Sequence, residues 1–189
     1  MTNYYPEVSY EEALPGKGKK IIFHYNGLFD FDGMYAAIID WAKNYGFMWQ
    51  EVDYKHKVPN PRGAEVEFKW LLTKNNTDYI SNEITITVHV WDLLEVEVDV
   101  DGKKKALSNA RLYIWLEPKI IFDWQKKYQG GGKFSQWLGK WYMKLLDKDF
   151  SSIYIDEHYY RTYDLHAVIK KYFDMQTKKY AYKNYLKES

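Results

Sequence analysis

ITITVHVWDLLEVEVDVDGKKKALSNARLYIWL, residues 84–116, decides the fold class. Ile84, Ile86, Val88, Val90, Val96, Val98 and Val100 share one parity. A strand turns successive side chains to opposite faces, so the run predicts β-structure with one face apolar throughout. It is too long for a straight strand, and a bend is expected at Trp91-Asp92-Leu93. Asp101-Gly102 supplies the positive φ angles of a tight turn, after which the chain returns from about Lys104 to Leu116. In that register Asp99 faces Lys104, an opposite-charge pair at the tip of a hairpin.

A second hairpin precedes it. Val52, Tyr54, His56 and Val58 alternate with Glu51, Asp53, Lys55 and Lys57. After the turn Pro59-Asn60-Pro61-Arg62-Gly63, Val66, Phe68, Trp70 and Leu72 alternate with Glu65, Glu67 and Lys69, which predicts a half-buried antiparallel pair. Further upstream, Lys19 to Phe29 reads as a strand. A helix is predicted from about Asp32 to Tyr45, because Met34, Ile38, Trp41 and Tyr45 fall on one face and Gly46 stands where a left-handed cap is wanted. Downstream come Ile120 to Trp124, a flexible loop at Gly130-Gly131-Gly132, and a helix from about Ser135 to Lys148. The stripe Phe134, Leu138, Trp141 and Leu145 is expected to pack that helix on the sheet. Residues 150–162 read as strand through Ile153-Tyr154-Ile155 or as helix. The last helix is expected near Asp164, burying Leu165, Val168, Ile169 and Tyr172.

Strand, helix, a run of antiparallel strands and then helices argue for an α+β domain. The expected architecture is a curved antiparallel sheet of about five or six strands packed against two or three helices. Residues 1–18, with Pro6, Pro15, Gly16 and Gly18, read as an extended arm, residues 19–175 as a single domain and residues 176–189 as a basic, Tyr-rich helical tail. In element order the chain resembles the helix-grip domains of the START and polyketide-cyclase type. That resemblance implies a hydrophobic small molecule or lipid enclosed between the sheet and a long C-terminal helix. It rests on element order alone and carries no residue motif.

Cys 0 excludes disulfides, thiolate nucleophiles and Cys-ligated metal centres. No apolar run approaches the roughly 18 residues of a membrane span, and no basic stretch followed by an apolar one opens the chain. The expectation is a soluble, cytoplasmic protein with no transmembrane segment. Aromatic residues make up 19% of the chain, more than a core of this size needs, so some rings are expected at an interface, a stacking platform or a cavity lining.

The net charge of +1 conceals a division along the chain. Residues 1–100 carry 16 acidic and 9 basic side chains, a balance of −7, and residues 101–189 carry 10 and 18, a balance of +8. A basic half can meet a polyanion, an acidic protein surface or the acidic half of a second copy in a homo-oligomer. Lys170, Lys171, Lys178, Lys179 and Lys183, interleaved with Tyr180, Tyr182 and Tyr185, are the candidate binding residues, since ammonium groups track phosphates and rings stack on bases. Arginine is confined to Arg62, Arg111 and Arg161, which argues against sequence-specific nucleic-acid readout.

Phe29-Asp30-Phe31-Asp32-Gly33 resembles the first motif of haloacid-dehalogenase-type phosphotransferases. By that resemblance Asp30 is the nucleophile and Asp32 the general acid/base, both beside Mg²⁺. Met34 stands in place of the usual Thr, and no later Gly-Asp or Asp-Asp motif offers the remaining metal ligands. The simpler expectation is that Asp32 caps the helix and Asp30 belongs to the loop. Gly130-Gly131-Gly132-Lys133 departs from a phosphate-binding loop at Lys127 and Phe134. His24, His56, His89, His158 and His166 show no metal-binding spacing, and no cofactor or metal is expected. Asp92 falls on the apolar parity of its strand. Either a bulge rotates it outward, or it sits in a cavity with Arg111 as its partner and orients a polar ligand head. Trp141 is the third cavity candidate. The leading expectation is a non-enzymatic binding protein acting through its basic C-terminal half. The alternatives are the cavity protein and, more weakly, the Mg²⁺-dependent phosphotransferase.

Overall fold

In a computed structural model of the chain, residues 8–9, 20–57, 63–100, 103–126, 132–134, 137–139, 141 and 150–173 are described. The elements are β1 (Val8–Ser9), β2 (Ile21–Phe29), α1 (Phe31–Asn44), β3 (Met48–Lys57), β4 (Ala64–Asn75), β5 (Ile80–Val100), β6 (Lys103–Phe122) and α2 (Asp156–Lys171), the last entered through a π-helical turn, Phe150–Ile155. All strand pairings are antiparallel, in the order β1/β2, β6, β5, β4, β3. The protein is therefore α+β, with one antiparallel sheet and helices. β1 and β2 lie end to end along β6, with Ser9 opposite Lys119 and Ile21 opposite Leu116. Pro118 continues β6 past the expected end at Leu116, at a position between those two partners where a missing N–H costs least.

Because β2 and β3 occupy opposite edges, α1 has to cross the sheet face to join them. It buries Met34, Ile38, Trp41 and Ala42 there, and α2 covers the same face with Leu165 and Ile169, followed by Phe173. The strands contribute alternate residues to this core: Phe23 and Phe29 from β2, Phe68, Trp70 and Leu72 from β4, Ile84 to Val90 from β5, and Leu112 to Leu116 from β6. The helix predicted from Asp32 thus begins one residue earlier. It ends as predicted, with Gly46 at φ 75° and the N–H groups of Gly46 and Phe47 donating to the carbonyls of Lys43 and Ala42.

The long hairpin forms as read, with Asp99 opposite Lys104, although the ammonium of Lys104 pairs with Glu97 at 3.3 Å. The bend is a bulge: Trp91 pairs with Arg111 and Leu94 with Asn109, so β5 carries one extra residue, and Asp92 takes φ 56°. One consequence corrects the expectation of a continuous apolar face. Val90 lies opposite Leu112, whereas Val96 lies opposite Leu107, so Val96 and Val98 point to the other face. Gly63 (φ 124°) lies against the bulge so closely that a Cβ there would come 2.6 Å from the carbonyl carbon of Asp92.

Three further expectations are corrected. Residues Glu51 to Lys57 of β3 are exposed rather than half-buried, because this is an edge strand that neither helix covers along that length. Residues 150–162 are helical, and α2 starts at Asp156, eight residues before the expected start at Asp164. Its buried stripe is Ile155, His158, Thr162, Leu165, Ile169 and Phe173; two polar members hide it from an apolar pattern. Phe134 and Trp141, expected to pack on the sheet, are 73% and 50% exposed. Residues 135, 136, 140 and 142–148 of that predicted helix, Asp101-Gly102, most of the arm and the whole of 176–189 lie outside the described residues.

Candidate functional site

Between the first turn of α1 and the exposed half of β3 the sheet face is left open. The space is a cavity of about 430 Å³ lined by Phe31, Asp32 and Tyr35 of α1, Glu51, Tyr54 and His56 of β3, Val66, Phe68 and Trp70 of β4, and Leu93 of the β5 bulge. Glu51 lies opposite Trp70, Tyr54 opposite Phe68 and His56 opposite Val66. Strict alternation would put Glu51 and Tyr54 on different faces. The register shift between Glu51 and Asp53 brings both inward.

The rings interlock. Tyr35 meets Trp70 edge to face at 4.7 Å, Phe31 meets Phe68 likewise at 5.9 Å, and Phe68 lies 4.4 Å from Trp70. The indole N–H of Trp70 donates to Glu51 Oε2 at 3.2 Å, which fixes the carboxylate beside the rings. Burial, and then the charge of Glu51, push the Tyr35 phenol above its ordinary range, so it stays a protonated hydroxyl. Among the described residues no Lys or Arg lines the cavity. The ammonium groups of β3 are turned elsewhere, Lys55 pairing with Asp53 and Glu67 and Lys57 with Glu65.

Asp30 and Asp32 separate in role. Asp30, not Asp32, is the helix cap: its Oδ1 accepts from the Gly33 N–H at 2.8 Å and its Oδ2 pairs with Lys105 at 2.8 Å. The Lys105 hydrogen bond, joined by that from Gly33, holds the Asp30 carboxyl below its ordinary range. Both oxygens are thereby engaged, while Asp32 is exposed in the first turn. The sheet is antiparallel, not the βαβ arrangement that the phosphotransferase resemblance requires. Among the described residues no group of three or more His, Asp or Glu is placed to hold a metal ion.

Asp92 and Arg111 do meet, Nε to Oδ2 at 2.8 Å and an Nη to Oδ2 at 2.7 Å, on the far side of the sheet from the helices. Arg111 there borders a second depression of about 350 Å³ with His24, Tyr25, Asn26, Trp91 and Leu112. Trp141 lines neither space. Of the tail residues, Lys170 and Lys171 stand in the last turn of α2, while Lys178, Lys179, Tyr180, Tyr182, Lys183 and Tyr185 lie outside the described residues. The sequence singled out only Asp32, and in another role, among the cavity residues. The surplus of aromatics was the one signal, since pairing across β3 and β4 decides which rings meet. No model of a known protein family matches this chain, and no curated protein matches it.

Among the described residues no helix is long and apolar enough to cross a membrane.

Proposed function

We propose that the protein binds a small organic molecule in the cavity between α1 and the β3–β4 hairpin, without chemistry on its ligand. The observation that carries this reading is the space itself, about 430 Å³ walled by five aromatic rings at a place the helices leave open. A volume of that order suits a small ligand. The rest of the same sheet face is filled by α1 and α2, so the gap is not a general looseness of packing.

Native mass spectrometry of the full chain, followed by titration with the uncharged apolar dye N-phenylnaphthylamine, tests it. A retained small-molecule adduct or saturable uptake of one dye per chain is expected. Leu93→Trp, which adds bulk to the cavity wall, should reduce that uptake at least tenfold with an unchanged circular dichroism spectrum. Deleting residues 176–189 should leave uptake as it was. A wild-type chain that carries no adduct and takes up no dye overturns the proposal. Retained nucleic acid that falls away with salt, and that the deletion abolishes, would place the function in the basic tail instead.

A further inference from the structure

We propose that the ligand of this cavity is an organic cation, an ammonium or quaternary ammonium group on a small apolar body. The inference rests on the cavity reading above and names the ligand's chemistry. An uncharged apolar ligand would be served by a lining without charge. Among the described residues this lining has two carboxylates, Asp32 and Glu51, and no ammonium or guanidinium group. Among the described residues no cation pairs with either carboxylate. Glu51 has one oxygen tied to Trp70, which leaves the other as a fixed negative acceptor beside the rings of Tyr35 and Trp70.

Aromatic faces attract a cation through their quadrupoles, most strongly those of Trp and Tyr, and the attraction grows when water is excluded. Of the lining rings Tyr54 is exposed, Phe31 and Tyr35 are half-buried, and Trp70 and Phe68 are buried against the protein. The start of α1 would by its dipole draw an anion. That field is answered already by the Asp30 cap on the Gly33 N–H and by the charge of Asp32. Anions are therefore disfavoured at the one place in the lining where a helix end could hold them. The two lysines nearest Glu51 in sequence, Lys55 and Lys57, are paired with carboxylates other than Glu51 and Asp32.

The experiment is calorimetric titration of the full chain with choline and with its uncharged isostere, in which carbon replaces the ammonium nitrogen. The series is repeated at raised salt and with N-phenylnaphthylamine uptake measured in parallel. Choline is expected to bind one to one and at least tenfold more tightly than the isostere. Glu51→Gln, which keeps the acceptor for Trp70, should erase that preference with an unchanged circular dichroism spectrum. Tyr54→Leu, at an exposed position on the edge strand, should weaken choline several-fold. Equal binding of the two probes, or dye uptake with no response to choline, overturns the cation and leaves the cavity reading standing. Choline binding that salt removes and Glu51→Gln leaves alone is diffuse attraction and also overturns it. If neither dye nor either probe binds, both readings fall together.

Discussion

Asp30 caps α1 by accepting a hydrogen bond from the N–H of Gly33. A Cβ at residue 33 would lie 2.8 Å from the Asp30 carboxylate, so a larger residue there would make that side chain shift. Both Asp30 and Asp32 are chemically suited to begin a helix. Local chemistry leaves the choice open, and backbone geometry settles it: Asp30 is extended, with φ −92° and ψ 92°, while Asp32 is already helical. Asp30→Ala is therefore expected to cost about 1 kcal/mol of stability, the ordinary loss for an N-cap. Asp32→Ala should cost only a few tenths, the contribution of a first-turn carboxylate to the helix dipole. Urea unfolding midpoints of the two variants check this. Equal losses would reassign the cap.

Bulges do the same work for strands that the cap does for the helix. The extra residue at Asp92 lets β5 turn Val96 and Val98 to the opposite face, and the shift beyond Glu51 turns a carboxylate into the cavity. Asp is among the few residues that accept φ 56° at modest cost, and its carboxylate also reaches Arg111. Asp92→Asn should be nearly neutral, because Asn tolerates the same backbone and an exposed ion pair of this kind contributes little. Asp92→Val should cost about 1–2 kcal/mol, since a β-branched side chain resists the left-handed region. A thermal unfolding series in which the two variants behave alike would show that the bulge does not depend on residue 92.

His158 ties the C-terminal helix to the rest of the molecule. It is fully buried, its Nε2 lies 2.9 Å from the Glu83 carbonyl of β5, and its ring stacks near Phe47. Burial, only partly offset by bonds to the backbone of Glu83 and Lys119 and reinforced by the charge of Lys74, pushes its pKa down to about 4. The folded-state value lies below the unfolded one, so between about 6.5 and 4 the unfolded chain holds more protons. Stability present above that window is lost as pH falls through it, on the order of 3 kcal/mol in total. Burial lowers His166 as well, in the same direction. His158→Gln should reduce stability near neutral pH and flatten much of the decline between pH 6.5 and 4, as read by thermal unfolding. An unchanged slope would place the acid sensitivity elsewhere.

The antiparallel sheet, α1 with its glycine cap, the bend at Trp91-Asp92-Leu93 and the register of Asp99 against Lys104 were all legible in the chain. Each depends on side-chain period or on turn residues, which are local properties. The early start of α2 was not legible, because His158 and Thr162 are acceptable inside only when Glu83 and the helix backbone supply their hydrogen bonds. The cavity was less legible still. Its wall comes from four elements, and Glu51 joins it through a bulge whose presence depends on how β3 pairs with β4. Residues far apart in sequence meet there by strand pairing and helix crossing, and no local pattern along the chain records that meeting.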